Sequence, residues 1–258
     1  DNMQFVFKDM QLNSSDFNRL GQTSKFQGCT IIVSSNTFVD MDNDTNNYIL
    51  INGGKLYAGK GVSSKYIDVS RVAIPANATG IFGNPCKNLP SKVKAKWFIT
   101  QYALVNSDLS TVTEIDFYGF NLTSDFAVKG NWTVSNLNST EKALTNFEGF
   151  NLILKDCNIG HFVPCGVLQM SGYIVNHFDN SIKLINSNVT LEPISVGNDY
   201  FYPFTALFMS DNSSITTIET SETPAYTSAQ PKIHVKGCNI ENSIINARIA
   251  FQPDAIIN

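Results

Sequence analysis

The sequence predicts an all-β fold of the solenoid kind, in which the chain winds through successive coils of short strands. Three observations carry this expectation. A loose six-residue unit recurs along the 258-residue chain: apolar, any, Gly/Asp/Asn, small or apolar, polar, aliphatic. Successive units, looser copies included, mostly lie roughly 7, 13 to 19 or 24 to 30 residues apart, as coils that reuse one bend would place them. Apolar residues at helical spacing are scarce, while Val, Ile, Phe and Thr at short intervals favour strands.

The units follow in order. FKDMQL begins at Phe7, FQGCTI at Phe26, INGGKL at Ile51, LVNSDL at Leu104 and FYGFNL at Phe117. FEGFNL begins at Phe147, LKDCNI at Leu154, LINSNV at Leu184 and VKGCNI at Val235, with looser copies at Ile67, Trp132 and Phe208. Each reads as strand, bend, strand, the third residue taking the bend because Gly, Asp and Asn tolerate positive φ. The fourth position is then an inward slot just past the bend, holding Cys29, Cys157 and Cys238, and Met10, Phe120 and Phe150 in other copies. Asn121, Asn151, Asn158, Asn188 and Asn239 take the fifth position, where their amides are expected to satisfy backbone groups of adjacent coils. The single helix expected lies within Ser139 to Gly149, with Ser139 as its cap. Coils of about 20 to 30 residues give about eight to ten coils in a rod of about 40 Å.

Composition excludes several classes. A net charge of -4 and only three arginines, Arg19, Arg71 and Arg248, argue against a nucleic-acid partner. Ser91 to Trp97 is the sole basic run and reads as a solvated loop. No apolar run approaches the ~20 residues that span a bilayer, so no membrane insertion is expected. The first residues lack a leader's layout, and the chain as given reads as soluble, a trimmed leader being compatible. Five cysteines, Cys29, Cys86, Cys157, Cys165 and Cys238, show no CxxC or finger spacing and are expected to be reduced and buried. No metal and no cofactor is called for. Eight N-x-S/T sequons occur against about five expected by chance, an excess too small to imply glycosylation.

The chain is expected to form one domain, 1–258, with three segments that break the repeat at 74–97, 192–204 and 219–232. Insertions in a solenoid leave from bends and commonly build its binding face. Trp97, Trp132, Tyr200 and Tyr202 are the candidate sugar-stacking residues. Trp132 also fits a core position, and the aromatic cluster around Tyr200 also fits a sheet cap or a subunit contact. Glycoside hydrolysis needs two carboxylates about 5 to 9.5 Å apart. Glu114 and Asp116, two residues apart on one strand face, are the candidate catalytic pair, with Asp125, Glu148 and Asp156 as neighbours from adjoining coils. A merely solvated pair fits the same pattern. A lyase would need a proton-abstracting base and usually an acidic calcium site. The Asp40 to Asn47 stretch offers oxygens but lacks an EF-hand's Gly and Glu, so it reads as a polar turn. His161, His177 and His234 are dispersed and form no recognisable metal pair or triad, His234 being expected to point outwards.

With these units, the chain from about Phe5 to Ile257 resembles the right-handed parallel β-helices of the pectin-lyase-like superfamily. Within that group its Asn-rich composition looks most like phage tailspike and tail-fibre β-helices. The resemblance implies a virion tail protein, a homotrimer, that recognises a host cell-surface polysaccharide. Whether it also cleaves the polymer, as hydrolase or lyase, stays open. Two other readings stay open with it: a bacterial exported β-helix at the cell surface or secreted, as adhesin or polysaccharide-processing enzyme, and a purely structural virion rod.

Overall fold

A computed structural model describes residues 4–7, 11–12, 30–34, 38–41, 48–52, 55–58, 67–69, 72–74, 78–128, 131–146, 151–164, 167–170, 173–176, 181–192, 194–196, 199–201, 204–217, 232–246 and 248–257. Side chains are described chiefly within 78–128, 131–145, 151–163, 181–192, 209–216 and 238–246. The protein is all-β, mostly parallel, with one short α-helix among the described residues. The chain groups into two compact units, 1–112 and 113–258.

In unit 1–112, Gln4–Phe7, Thr30–Ser34, Tyr48–Asn52 and Val72–Ala73 form one parallel sheet. Gln11–Leu12, Phe38–Met41 and Lys55–Ala58 form a second parallel sheet. Register pairs Phe7 with Val33 and Ile51, and Leu12 with Val39 and Leu56. FKDMQL and INGGKL are therefore equivalent, and the copy between them is Val33 to Val39 rather than FQGCTI. Towards the end of the unit, Ile81, Phe82, Cys86, Ala95, Ala103 and Leu104 are fully buried, with the Phe82 and Phe98 rings 5.6 Å apart. Much of the first expected insertion, 74–97, thus packs as core.

The helix Gln101–Val105 falls where LVNSDL was expected to bend. Thr100 caps it, its hydroxyl accepting from the Ala103 N–H at 3.2 Å. Among the described residues of the stretch Ser139 to Gly149, where a helix was expected, there is none: Asn138–Ser139 and Leu144–Asn146 are strands. The Ser139 hydroxyl donates to the Lys142 carbonyl at 2.7 Å, closing a turn instead of capping N–H groups.

Unit 113–258 carries two larger parallel sheets, and the chain passes from one to the other and back. The first contains, in order, Glu114–Asp116, Thr133–Ser135, Leu152–Lys155, Ser181–Ile185, Phe204–Asp211, Lys232–Glu241 and Arg248–Ile257. The second contains Phe126–Val128, Leu144–Asn146, Asn158–Pro164, Asn188–Leu191, Ser214–Thr217 and Ile244–Asn246, with Asn138–Ser139 also on Asn158–Pro164. Strands of one sheet thus alternate in sequence with strands of the other, an arrangement compatible with a β-helix.

Register fixes which residues stack. Ile115, Val134, Leu154, Leu184 and Ser210 form one row of the first sheet, all buried. Two residues past Val134, Leu154, Leu184, Ser210 and its partner Ile240, the chain turns at Asn136, Asp156, Asn186, Asn212 and Asn242, each with φ between 46° and 54°. Asn and Asp suit this left-handed conformation because their short polar side chains bond locally. The N–H groups of Asn136, Asp156, Asn186 and Asn212 donate to the carbonyls of Lys155, Ile185, Asp211 and Glu241 in the next coil, at 2.9 to 3.1 Å. Their side chains add a second ladder: Asn212 Nδ2 donates to Asn186 Oδ1 at 2.9 Å, and Asn186 Nδ2 to Asp156 Oδ1 at 3.2 Å. Asn158 and Asn188 stand one row on. The Asn158 amide donates to the Asn138 side chain and Ser214 Oγ donates to Asn188, so these asparagines bond to side chains rather than to backbone.

The slot after the bend holds Leu137, Cys157, Ser187 and Ser213, all buried, and then a half-buried Ser243. Cys157 lies where expected. Cys238 does not: it sits within Lys232–Glu241 opposite Phe208, and the bend of that coil comes at Asn242. Gly237, expected to form that bend, instead adjoins a register shift in the pairing with the following strand, a usual place for glycine within a sheet. Cys29 lies outside the described residues.

Candidate functional site

The segments that join a second-sheet strand to the next first-sheet strand differ sharply in length. Early in the unit they are short, 129–132 and 147–151; the next three, 165–180, 192–203 and 218–231, are long. The first long segment contains an antiparallel hairpin, Val167–Met170 with Tyr173–Asn176, which the repeat did not reveal. The second, which matches the expected insertion at 192–204, contains Ile194–Val196 paired with Asp199–Phe201. The third matches the expected 219–232, and 218–231 lies outside the described residues. Because the flanking strands pair in parallel register, all three leave from one repeated junction.

At the root of these segments, His161 Nδ1 contacts Glu192 Oε1. His161 belongs to Asn158–Pro164 and Glu192 follows Asn188–Leu191, so adjacent coils supply the two groups. Two features place the histidine. A register shift lies between Ile159 and Phe162, so Gly160 and His161 together oppose the single residue between Val189 and Leu191. On the strand's other edge Ile159 pairs with Ser139 and Phe162 with Leu144, which again leaves Gly160 and His161 out of register. Such a bulge re-aims a side chain. Gly160 also permits close approach: a Cβ there would stand 2.7 Å from the Thr140 carbonyl oxygen. Glu192 is fixed by its backbone, whose N–H donates to the Phe162 carbonyl at 2.9 Å. Both side chains are about one-third exposed, at 36% and 29%, so the pair is reachable from solvent.

The residues picked out from sequence have diverse surroundings. Glu114 and Asp116 lie on the outward face of their strand, flanking buried Ile115, as their spacing required. Asp116 Oδ1 accepts from the Tyr118 N–H at 2.9 Å and from Asn136 Nδ2 at 3.0 Å, so it serves the bend. Asp125 accepts from the Ala143 N–H and Asp156 from Asn186, while Glu148 lies outside the described residues. Trp97 and Trp132 are 7% and 4% exposed, so their rings belong to the core. Trp132 continues an aromatic cluster through Phe126, 6.4 Å away, to Phe117. Tyr200 lies on the second hairpin, opposite Ser195; Tyr202 lies outside the described residues. His234 is in Lys232–Glu241, and His177 lies outside the described residues.

The three described thiols are buried scaffold, while Cys165, like Cys29, lies outside the described residues. Burial pushes Cys157 up to about 11 and raises Cys86 and Cys238 as well, which keeps these groups protonated and poorly nucleophilic at neutral pH. Among the described residues no three His, Cys, Asp or Glu side chains gather as a metal site, and no helix is long and apolar enough to cross a membrane.

No protein-family model matches the chain, and no curated protein and no solved structure matches it significantly. The strand pairing is compatible with a β-helix, and no relative names a superfamily for it.

Proposed function

We propose that the chain is a right-handed parallel β-helix that recognises a cell-surface polysaccharide, as a homotrimer in a phage tail, like the tailspike and tail-fibre proteins it resembles. The observation that carries this reading is the run of three long segments at one repeated junction of the two-sheet unit. Stacked coils that carry successive excursions at a shared junction present them along one side, where they build an extended binding face. Polysaccharides are extended and repetitive, and the two hairpins carried on successive coils suit such a ligand. Tyr200, on the second hairpin, and Tyr202 beside it are the tyrosines assigned to sugar contact.

Binding of capsular and lipopolysaccharide preparations to the immobilised chain tests the reading. Replacing 193–203 with a short Gly-Ser link is expected to abolish or strongly reduce retention while the far-ultraviolet spectrum stays that of the parent. Full retention by the deleted chain would sink the assignment of the binding face. Tyr200→Ala and Tyr202→Ala are each expected to weaken binding about 10-fold, the loss of ~1.4 kcal/mol of ring contact. Light scattering tests the trimer, which is also expected to resist sodium dodecyl sulfate at room temperature. A monomer that binds glycan would move the assignment to an exported bacterial surface protein, and a trimer that binds none would leave a structural rod.

A further inference from the structure

We propose that His161, held by Glu192, is the base of an esterase site that removes acyl groups such as O-acetyl from the polysaccharide bound along the hairpin side. The inference rests on the glycan-binding reading above and adds a reaction to it. Its ground is the juxtaposition of three things: a histidine whose Nδ1 meets a carboxylate, a bulge that places it, and two long segments that begin beside it.

The chemistry follows from the pair. With Glu192 ionised, the imidazole keeps its proton on Nδ1 and presents a lone pair on Nε2, for which no partner is found among the described residues. A base oriented by a third group is the recurring half of acyl-transfer sites. Glycoside hydrolysis asks for two independently placed carboxyl groups, and Glu192 is already engaged by the histidine. Ester hydrolysis needs one group that both takes and returns a proton, which an imidazole does. Nε2 accepts a proton from water as the water oxygen bonds to the acyl carbon. The tetrahedral intermediate then breaks its bond to the sugar oxygen, and Nε2–H returns the proton to that oxygen. The products are a free sugar hydroxyl and a carboxylic acid, and no other reagent is consumed.

The full chain is assayed with p-nitrophenyl acetate and with an O-acetylated polysaccharide, alongside the same polymer after chemical deacetylation. The parent is expected to release p-nitrophenol above buffer and acetate from the polymer. His161→Gln is expected to lose the enzymatic rate by about 100-fold or more. Glu192→Gln, a positioning change, is expected to lose about 10-fold. Added imidazole is expected to restore activity to His161→Gly, which a merely structural histidine would not show. Circular dichroism reports whether each variant folds. A parent no faster than His161→Gln, or a folded His161→Gly that imidazole fails to rescue, overturns the site. Binding of either polymer without ester cleavage overturns the esterase and leaves glycan recognition standing. Cleavage of the small ester without binding of any polymer overturns the carbohydrate assignment instead.

Discussion

At Ser187 one hydroxyl serves two coils. Its Oγ accepts the Cys157 N–H at 3.1 Å and donates to a carbonyl, that of Ile185 at 2.8 Å being nearest, while the Ser187 N–H donates to Ser213 Oγ at 2.9 Å. Ser187→Ala strands a buried N–H and is expected to cost about 1 to 3 kcal/mol, measured by urea denaturation. Cys157 fills the same slot one coil earlier, and its thiol donates to the Lys155 carbonyl at 3.2 Å, two residues back as in Ser187. Cys157→Ser is therefore expected to change stability by no more than about 1 kcal/mol, because the hydroxyl meets the same acceptor. Cys238→Ser should cost about 1 to 3 kcal/mol, since Cys238 is buried within a strand, away from the slot after the bend that gives Ser187 and Cys157 their carbonyl acceptor. Equal losses at the two cysteines would refute the distinction. The Cys157 thiol also gives a pH effect. Its folded value of about 11 exceeds the ordinary 9.0, so the unfolded chain loses this proton first as pH rises. The contribution is intact below pH 9.0 and falls through about pH 11, by up to ~1.4 kcal/mol per pH unit, relative to Cys157→Ser.

The strand-bend-strand element depends on the asparagine at its turn. Asn186 holds φ 48° and joins Asp156 to Asn212 through its amide. Asn186→Ala is expected to cost about 1 to 3 kcal/mol, combining left-handed strain with the loss of exposed amide bonds. Asn186→Gly relieves the strain and should recover part of that loss in the same denaturation series; an Ala variant as stable as the Gly variant would remove strain from the account. This element also marks how far sequence reached. LKDCNI and LINSNV were legible in register, because Asp156 and Asn186 occupy the third position and Cys157 and Ser187 the slot. VKGCNI was not, since Gly237 imitates a bend and the turn comes five residues later at Asn242. The aromatic candidates failed to separate core from surface, as nothing local distinguishes buried Trp97 or Trp132 from an exposed ring. His161 and Glu192 lie 31 residues apart, and only the coil register brings them together. Aligning the two clean units on Leu154 and Leu184 sets His161 opposite Leu191, one residue short of Glu192, and it is the bulge between Ile159 and Phe162, invisible in the sequence, that makes up the difference.

Across the molecule, parallel stacking confines each coil's bonds to its immediate neighbours. Ser187 bonds to the coils of Cys157 and Ser213, and Asn186 to those of Asp156 and Asn212. Stability in such a stack is a sum of coil terms and nearest-neighbour terms, so damage spreads little beyond the adjoining coils. A protein with one central core behaves differently: a core lesion lowers protection wherever exchange requires global unfolding. Hydrogen exchange on Ser187→Ala separates these cases. Protection is expected to fall mainly in 154–159, 184–189 and 210–215, and least in 81–104, which packs within the other compact unit. A uniform fall across both sets would show that the chain unfolds as one cooperative body. The excursions would then be carried by a scaffold unable to absorb local change. A local fall instead explains how 165–180, 192–203 and 218–231 can lengthen in consecutive coils while the strands on either side keep their register.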